Sequence, residues 1–205
     1  SRGLGDVYKR QLMDHVGSGS AYDLSKRRSN LSILPPYDGK AFSSFVETIY
    51  NMHGYIEHCR EEYVLISQGN VITNIDYTDV FDFHSKKKAD ITLIYKNHAI
   101  PQGYDRPITL DVDNDGKVNQ IFVKPGVVDK GVFNHAYGSI LIKKDLLMSE
   151  IRNAISVNQL DVRRLIQSSL GKYSIYAYEN KGYCAAISSC LLYTSPSPRD
   201  VEESR

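Results

Sequence analysis

The pattern of hydrophobic and polar positions along the chain predicts alternating helices and strands. Between residues 41 and 60, apolar side chains recur every three or four positions, which is the spacing of an amphipathic helix. Further helices are predicted at residues 76–88, 144–157 and 161–170. Compact or alternating apolar runs predict strands at residues 31–34, 63–66, 91–95, 134–142 and 173–178. This mixture of elements predicts an α/β fold.

One strand, loop and helix unit stands out between residues 62 and 80. The apolar run at residues 63–66 is followed by a loop with Gly69 and Asn70, and Asp76 opens the next helix. Because α/β proteins place ligands at the carboxyl ends of buried strands, we expect loop 67–74 to face a nucleotide or a sugar phosphate. The next strand, at residues 91–95, completes a unit that predicts parallel pairing and a right-handed crossover.

Acidic residues between positions 108 and 123 resemble the start of a calcium-binding loop. Asp111, Asp113 and Asp115 have the right spacing, but the twelfth position, where such a loop needs a glutamate, is Phe122. The flanking residues alternate as strands do. We therefore predict a β-hairpin with its turn at residues 114–116, and no calcium site.

The two ends of the chain are related to each other as DNA. The N-terminal peptide SRGLGDVYKRQ can be back-translated into one particular DNA sequence. The reverse complement of that DNA, read in a frame shifted by one base, encodes CLLYTSPSPRD, which stands near the other end. Both strings resemble read-through of one transposase sequencing adapter, once on each strand. We therefore expect residues 1–11 and 190–205 to be adapter translation, and residues 12–189 to be a natural segment cut at both ends.

Composition narrows the functional classes. About 180 natural residues suffice for one domain with a substantial core. The formal net charge of +1 offers no electrostatic case for binding nucleic acid or an anionic membrane, and no apolar run approaches the length of a membrane helix. Cys59 and Cys184 are far apart in sequence, which favours reduced thiols and a cytoplasmic location over a disulfide framework.

Four blocks of the sequence match a known family. They read GSG with YDL and ILPPY (residues 17–37), IYN with YIE (49–57), EYVLISQGNVITNIDY (62–77), and YAY with GY (176–183). These blocks resemble motifs of the nucleotidyltransferase domain of bacterial glucose-1-phosphate adenylyltransferase (ADP-glucose pyrophosphorylase). The likeness is strongest to its GlgD-type, non-catalytic subunit.

This resemblance implies a Rossmann-like, GT-A-like nucleotidyltransferase domain. Its central sheet is expected to be mixed and mainly parallel, with flanking helices, and residues 12–189 are expected to form a partial copy that is incomplete at the N-terminus.

The departures from the family pattern concern its metal site. Catalytic members carry an aspartate in "SGDHIY" and another in "GYWRDVGT" as Mg²⁺ ligands, and these positions are Asn70 and Ala186 here. Of the family's sugar-phosphate motif "EKP", Lys124 is retained. The resemblance thus implies no catalytic residue, no metal site and no cofactor for this chain, with Mg²⁺ held only by a catalytic partner. The implied substrate-binding residues are Lys124, Gly69 and Gly138.

Three functions follow from these expectations. The leading one is a regulatory subunit that assembles with a catalytic glucose-1-phosphate adenylyltransferase subunit into a hetero-oligomer and supports ADP-glucose synthesis for glycogen biosynthesis. The second is a weakly active or altered sugar-phosphate nucleotidyltransferase, in which Asp76 or Asp23 would have to supply metal ligands. The third is a module that senses a sugar phosphate through Lys124, or a nucleotide, without turnover.

Overall fold

A computed structural model describes residues 14–17, 31–32, 44–99, 107–123 and 131–186. The chain divides into two compact units, Ser1–Ser43 and Ser44–Arg205. In the first unit, residues 14–16 are helical. Of the strand predicted at residues 31–34, residues 31–32 are not in a strand and residues 33–34 lie outside the described residues. The remaining elements belong to the second unit. Among the described residues, none of the helices is long and apolar enough to cross a membrane.

The first predicted helix of the second unit is two short helices. They are α1 (Phe45–Asn51) and α2 (His53–His58), and they meet at Met52. A capping box starts α1, because the Ser44 hydroxyl accepts a hydrogen bond from the Glu47 amide at 3.1 Å and the Glu47 carboxylate accepts one from the Ser44 amide at 2.8 Å. Residues 41–43, which the prediction included, lie outside the described residues.

The strands form a six-stranded mixed sheet and a separate two-stranded ladder. They are β1 (Tyr63–Ile66), β2 (Val71–Thr73), β3 (Ile91–Ala99), β4 (Ile108–Val112), β5 (Val118–Val123), β6 (Val132–Lys143), β7 (Ile175–Glu179) and β8 (Cys184–Ala186). The large sheet has the order β5-β4-β6-β3-β7, with β1 also paired to β6, and the ladder joins β2 to β8.

Strand β6 organises the large sheet. Along one side it pairs with β3 over its whole length, and along the other it pairs first with β4 and then with β1, antiparallel in every case. Among the described strands only β3 and β7 pair in parallel. The mixed α/β sheet is therefore confirmed, but the prediction that it is mainly parallel is wrong. Strands β1 and β3 do run in the same direction, but β6 lies between them.

The predicted hairpin is confirmed. Strands β4 and β5 pair antiparallel around a turn in which Gly116 has a φ of +85°. The Asp113 carboxylate accepts hydrogen bonds from the backbone amides of Asp115 at 2.8 Å and Lys117 at 2.9 Å. The acidic run therefore includes a residue that stabilises a turn. Backbone bonding also ties the tip to β7, because the Ala177 amide donates to the Gly116 carbonyl at 2.7 Å.

The three remaining helices agree with the predictions to within a few residues. They are α3 (Tyr77–Lys87), α4 (Lys144–Ser156) and α5 (Val162–Ser168). Asp76, at which the sequence predicted the start of a helix, caps α3 by accepting from the Thr78 amide, and Asp161 caps α5 by accepting from the Arg163 amide.

The sequence pattern of residues 76–88 predicts that Val80, Phe81 and Phe83 or His84 face the core. Val80 and His84 do point from α3 into the core, whereas Phe81 is 41% exposed. Phe81 instead packs edge-on against the Tyr63 ring. The two residues of α3 that do reach the core are one helical turn apart, so they share a face that Phe81 does not.

One hydrophobic cluster forms the main core. Its buried side chains come from α1, α4 and strands β3 to β7, and include Val46, Leu93, Ile142, Ile151 and Ile175. A smaller cluster of Val80, Ile94 and Leu141 lies under α3. The sheet thus has helices packed over it, and the loops at the ends of its strands remain accessible for a site.

Candidate functional site

The loop after β1 is short and exposed. Its backbone turns at Gly69 and Asn70, with the Val71 amide bonded to the Gln68 carbonyl at 3.2 Å. The Ser67 hydroxyl lies 3.1 Å from the Ser139 hydroxyl and ties the loop to β6. The predicted loop 67–74 is therefore a loop only as far as Asn70, because β2 begins at Val71.

The ladder of β2 and β8 brings together the two positions at which the sequence resemblance implies lost metal ligands. Val71, which directly follows Asn70, pairs with Ala186 in the antiparallel register. The pairing explains how positions more than a hundred residues apart in sequence can contribute to one site. At these two positions the chain carries an amide and a methyl group, and no carboxylate.

A network of polar contacts fixes the segment before β8. The Lys96 ammonium donates to the Gly182 carbonyl at 2.5 Å and to the Asn180 carbonyl at 3.3 Å. The Asn180 side chain donates to the Thr73 hydroxyl at 2.8 Å and accepts from the Gly182 amide at 2.9 Å. The Asn180 side chain therefore joins this segment to β2. Nothing in the sequence pattern singled out Lys96 or Asn180.

Close packing also fixes this segment. A Cβ atom added to Gly182 would lie 2.2 Å from the backbone oxygen of Asn74. Beneath the ladder, Thr73, Ser139 and Cys184 line a cavity of about 10 Å³, which is the room for a single water. Burial raises the pKa of the Cys184 thiol, against the hydrogen bond from Thr73 and the charge of Lys96. The interior side of the ladder is therefore closed.

Gly138 lies in a bulge of β6. The register against β3 shifts between Ile94, which pairs with Ser139, and Tyr95, which pairs with Ala136. Two residues of β6 are thus unopposed, and Gly138 adopts a φ of +77°. At this point the partner on the other side of β6 changes from β4 to β1. Gly138, predicted as a substrate-binding residue, therefore lies beside the loop that follows β1.

A histidine cluster lies next to this bulge. The Tyr137 hydroxyl is hydrogen-bonded to the His98 ring, and the rings of His98 and His135 stack with centroids 5.6 Å apart. Two causes lower the pKa of His135 to about 4. The larger is burial of its imidazole, and the smaller is the charge of the nearby His98. His135 is therefore neutral at pH 7. No sequence signal marks this cluster, since His98 is 37 residues away from His135 and the three residues follow no motif.

A second, wider cavity of about 610 Å³ lies between α3, the end of β7 and the hairpin tip. Asp76, Asp79 and Glu179 contribute carboxylates to its lining. Burial, then Asp79 and Asp76, raise the pKa of the Tyr178 phenol at its wall. Asn70 and Gly69 are not part of this lining, so Asp76 faces a different space from the loop after β1.

The other predicted site residues lie partly inside and partly outside the described ranges. Gly69 and Asn70 lie in one turn, and within the described ranges no atom beyond the two chain neighbours would lie within 4 Å of a Cβ added to Gly69. Lys124 and Asp23 lie outside the described residues. Within the described ranges, no group of three or more histidine, cysteine, aspartate or glutamate side chains is arranged to hold a metal ion.

Comparison with known proteins identifies the relatives of this chain. No family model matches it. A glucose-1-phosphate adenylyltransferase from Clostridium acetobutylicum is 29% identical over 182 residues, which cover 84% of this chain and 47% of that protein. The glucose-1-phosphate adenylyltransferase of Bacillus subtilis is 28% identical over 187 residues, with the same coverage of 84% and 47%. In sequence, this chain is therefore similar to glucose-1-phosphate adenylyltransferases. It spans about half the length of the curated relatives it matches.

Solved structures show that this chain has a nucleotidyltransferase-like fold. A putative glucose-1-phosphate thymidylyltransferase from Bacillus anthracis, crystallised with sucrose, superimposes with a TM-score of 0.64 at 13% identity and covers 91% of this chain and 67% of that one. HddC from Yersinia pseudotuberculosis gives a TM-score of 0.57 at 15% identity and covers 94% and 71%. At such identities the likeness establishes the fold alone.

Proposed function

We propose that this chain is a non-catalytic, regulatory subunit of a glucose-1-phosphate adenylyltransferase. In this role it supports ADP-glucose synthesis for glycogen biosynthesis without catalysing it. The proposal is supported above all by the β2–β8 ladder, which pairs the residue after Asn70 with Ala186. Both positions at which the adenylyltransferase motifs carry metal-binding aspartates thus lie side by side, and neither supplies a carboxylate.

The chemistry of the reaction explains why this loss is serious. Nucleotidyl transfer develops negative charge on phosphate oxygens, and Mg²⁺ held by one or two carboxylates neutralises that charge. An asparagine oxygen carries no net charge, and alanine has no ligand atom. Removing one preorganised electrostatic group typically lowers a rate by about 10²–10³. Turnover by this chain alone is therefore expected to be negligible.

An altered metal site has less support. Asp76 could supply a carboxylate, but its oxygen accepts the Thr78 amide at 2.8 Å, and this bonding to Thr78 lowers the pKa of its carboxyl group. The side chain is thereby committed to the N-terminus of α3. It also faces the wide cavity near the hairpin tip, whose lining does not include Asn70.

The proposed partner is the catalytic subunit of the same enzyme, in a hetero-oligomer. Mg²⁺ would be held by that subunit, and this chain would carry no cofactor of its own. A sugar phosphate or a nucleotide is a candidate ligand of this chain, and nucleic acid and membranes are not proposed as partners. The cysteines Cys59 and Cys184 are free thiols, which supports a cytoplasmic location.

Activity and assembly assays test this proposal. The purified protein is assayed for Mg²⁺-dependent synthesis of ADP-glucose from ATP and glucose 1-phosphate, alone and mixed with a catalytic adenylyltransferase subunit. We expect no turnover alone, elution as one complex with the catalytic subunit, and altered kinetics of the complex. Robust turnover by the chain alone, or separate elution at micromolar concentration, would contradict the proposal.

Restoring the carboxylates tests whether the ladder marks the lost metal site. The double variant Asn70→Asp with Ala186→Asp is expected to bind Mg²⁺ more tightly than the wild type, since it returns two carboxylates to adjacent positions. The matched control is Asn70→Asp with Ala185→Asp, because successive residues of a strand point to opposite faces. Equal Mg²⁺ affinity in the two double variants, measured by calorimetry, would show that these positions do not form one site.

A further inference from the structure

The side chain of Gln68 lies directly against the backbone of Gly138. A Cβ atom added to Gly138 would lie 2.4 Å from the Gln68 amide nitrogen and 2.8 Å from its Cδ. Real Cβ atoms do not approach other heavy atoms so closely. Gln68 therefore occupies the volume that opens where β6 has no side chain.

The topology of the sheet explains why this volume exists. On the side of β6 away from β3, Ala136 pairs with β4, and pairing with β1 resumes only at Ile140. The bulge with Gly138 falls in the interval between them, where β6 has no strand partner on that side. Gln68 stands just beyond the end of β1, so its side chain enters this interval from the candidate loop.

The Gln68 side chain is not needed to hold the loop. Its backbone carbonyl accepts the Val71 amide at 3.2 Å, and the neighbouring Ser67 hydroxyl bonds to Ser139. Within the described part of the chain, the Gln68 amide group itself makes no hydrogen bond, and the residue is exposed. The loop can therefore keep its conformation when this side chain is shortened.

We propose that Gln68 is a specificity-determining residue that fills part of the ligand space at this site and thereby excludes sugar phosphates from the surface of Gly138. The inference rests on the proposed function only in placing the site at this loop. A ligand that approached the bulge would have to displace an amide group of three heavy atoms and restrict its rotamers elsewhere. The substitution of the metal positions and the filling of the bulge would then be two separate losses.

Calorimetric titration with glucose 1-phosphate tests the proposal on the intact protein. Two variants, Gln68→Ser and Gln68→Ala, shorten the side chain, and Gln68→Met keeps its length without the amide. If Gln68 acts by filling space, the two short variants bind glucose 1-phosphate about tenfold or more tightly than the wild type, and Gln68→Met binds as weakly as the wild type.

Other outcomes overturn the proposal. Weaker binding in both short variants and in Gln68→Met would mean that the amide contacts the ligand. No measurable binding by the short variants at millimolar glucose 1-phosphate would mean that Gln68 is not what excludes it. Co-elution with the catalytic subunit is measured on the same variants. The short Gln68 variants can show no gain in glucose 1-phosphate binding while the protein still assembles with the catalytic subunit. Equally, they can show the gain while assembly fails. The two proposals are therefore tested separately.

Discussion

Glycine residues show how closely the site is packed at the scale of single residues. Gly182 has the Asn74 carbonyl where its Cβ would be. For Gly54 in α2, by contrast, no described atom outside the local helix backbone and the chain neighbours lies within 4 Å of an added Cβ. The sequence does not distinguish the two, because the close approach comes from the return of the chain beside β2. Gly182 therefore has a structural requirement that Gly54 lacks.

Substituting these glycines gives opposite predictions. Gly182→Ala is expected to destabilise the protein by about 2 kcal/mol or more, because the obstacle is a backbone atom that cannot rotate away. Gly54→Ala is the control and is expected to be neutral or to stabilise by up to about 1 kcal/mol, since alanine favours helix. Urea unfolding measures both. Equal free energies of unfolding for the two variants would contradict the packing seen at Gly182.

His135 makes stability depend on pH. Its pKa falls from 6.5 to about 4 on folding, so the unfolded chain binds more protons than the folded chain between these values. The stabilisation is complete above pH 6.5 and is lost as the pH falls towards 4. The loss amounts to about 3 kcal/mol, because a pKa difference of one between the folded and unfolded states corresponds to about 1.4 kcal/mol. Burial also lowers the pKa of His84, which adds to the loss in the same direction.

Urea midpoints between pH 4 and pH 8 measure this dependence. The variant His135→Gln removes the titrating ring and is expected to show a shallower acid limb than the wild type. An unchanged acid limb in His135→Gln would show that the buried imidazole does not contribute.

At the scale of elements, local patterns succeeded where the element is stabilised locally. Helix α3 was predicted from its apolar spacing and from its start at Asp76, and the hairpin from its turn residues. Strands β2 and β8 were missed, because each is three residues long and forms only by pairing with the other across more than a hundred residues. The position of β6 between β1 and β3 was likewise not predicted. Strand β6 comes later in the chain, and no local sequence pattern indicates with which strands it pairs.

The hairpin turn provides a test at this scale. Asp113→Ala removes the acceptor of two backbone amides, those of Asp115 and Lys117, and is expected to lower the free energy of unfolding by about 1 kcal/mol. Asp113→Asn keeps an oxygen acceptor in the same place and is expected to stay within about 0.5 kcal/mol of the wild type. Urea unfolding compares them. Loss of stability in both variants alike would assign the effect to charge, and not to the turn.

At the scale of the whole molecule, the Ser44–Arg205 unit depends on one main core. Ile151 of α4 is fully buried in it, whereas Val157, just past the end of the same helix, is 73% exposed. The family resemblance allowed the fold to be predicted, and the candidate site around Asn70 and Ala186 stays a prediction. The resemblance did not predict the contacts of Lys96, of Asn180 or of the histidine cluster, because these contacts form only in the tertiary structure.

Truncation of these two side chains tests the importance of the core. Ile151→Ala is expected to lower the free energy of unfolding by about 2–5 kcal/mol, through lost burial and the cavity that remains. Val157→Ala is expected to change it by less than about 0.5 kcal/mol. Both transitions are followed by circular dichroism and by tyrosine fluorescence, which should coincide if the unit unfolds cooperatively. If Ile151→Ala lowers the free energy of unfolding only slightly, the core tolerates the cavity that this substitution leaves.

The central position of β6 has a consequence for the order of synthesis. Strands β1, β3 and β4 are synthesised before β6, with which each of them pairs. For β1, about eighty residues separate Tyr63 from its pairing partner Lys143. Until then the nascent chain exposes apolar strands with unpaired edges, which is the condition that attracts chaperones and favours aggregation. Slow translation before residue 132 should therefore lower the soluble yield, whereas slow translation after residue 186 should not.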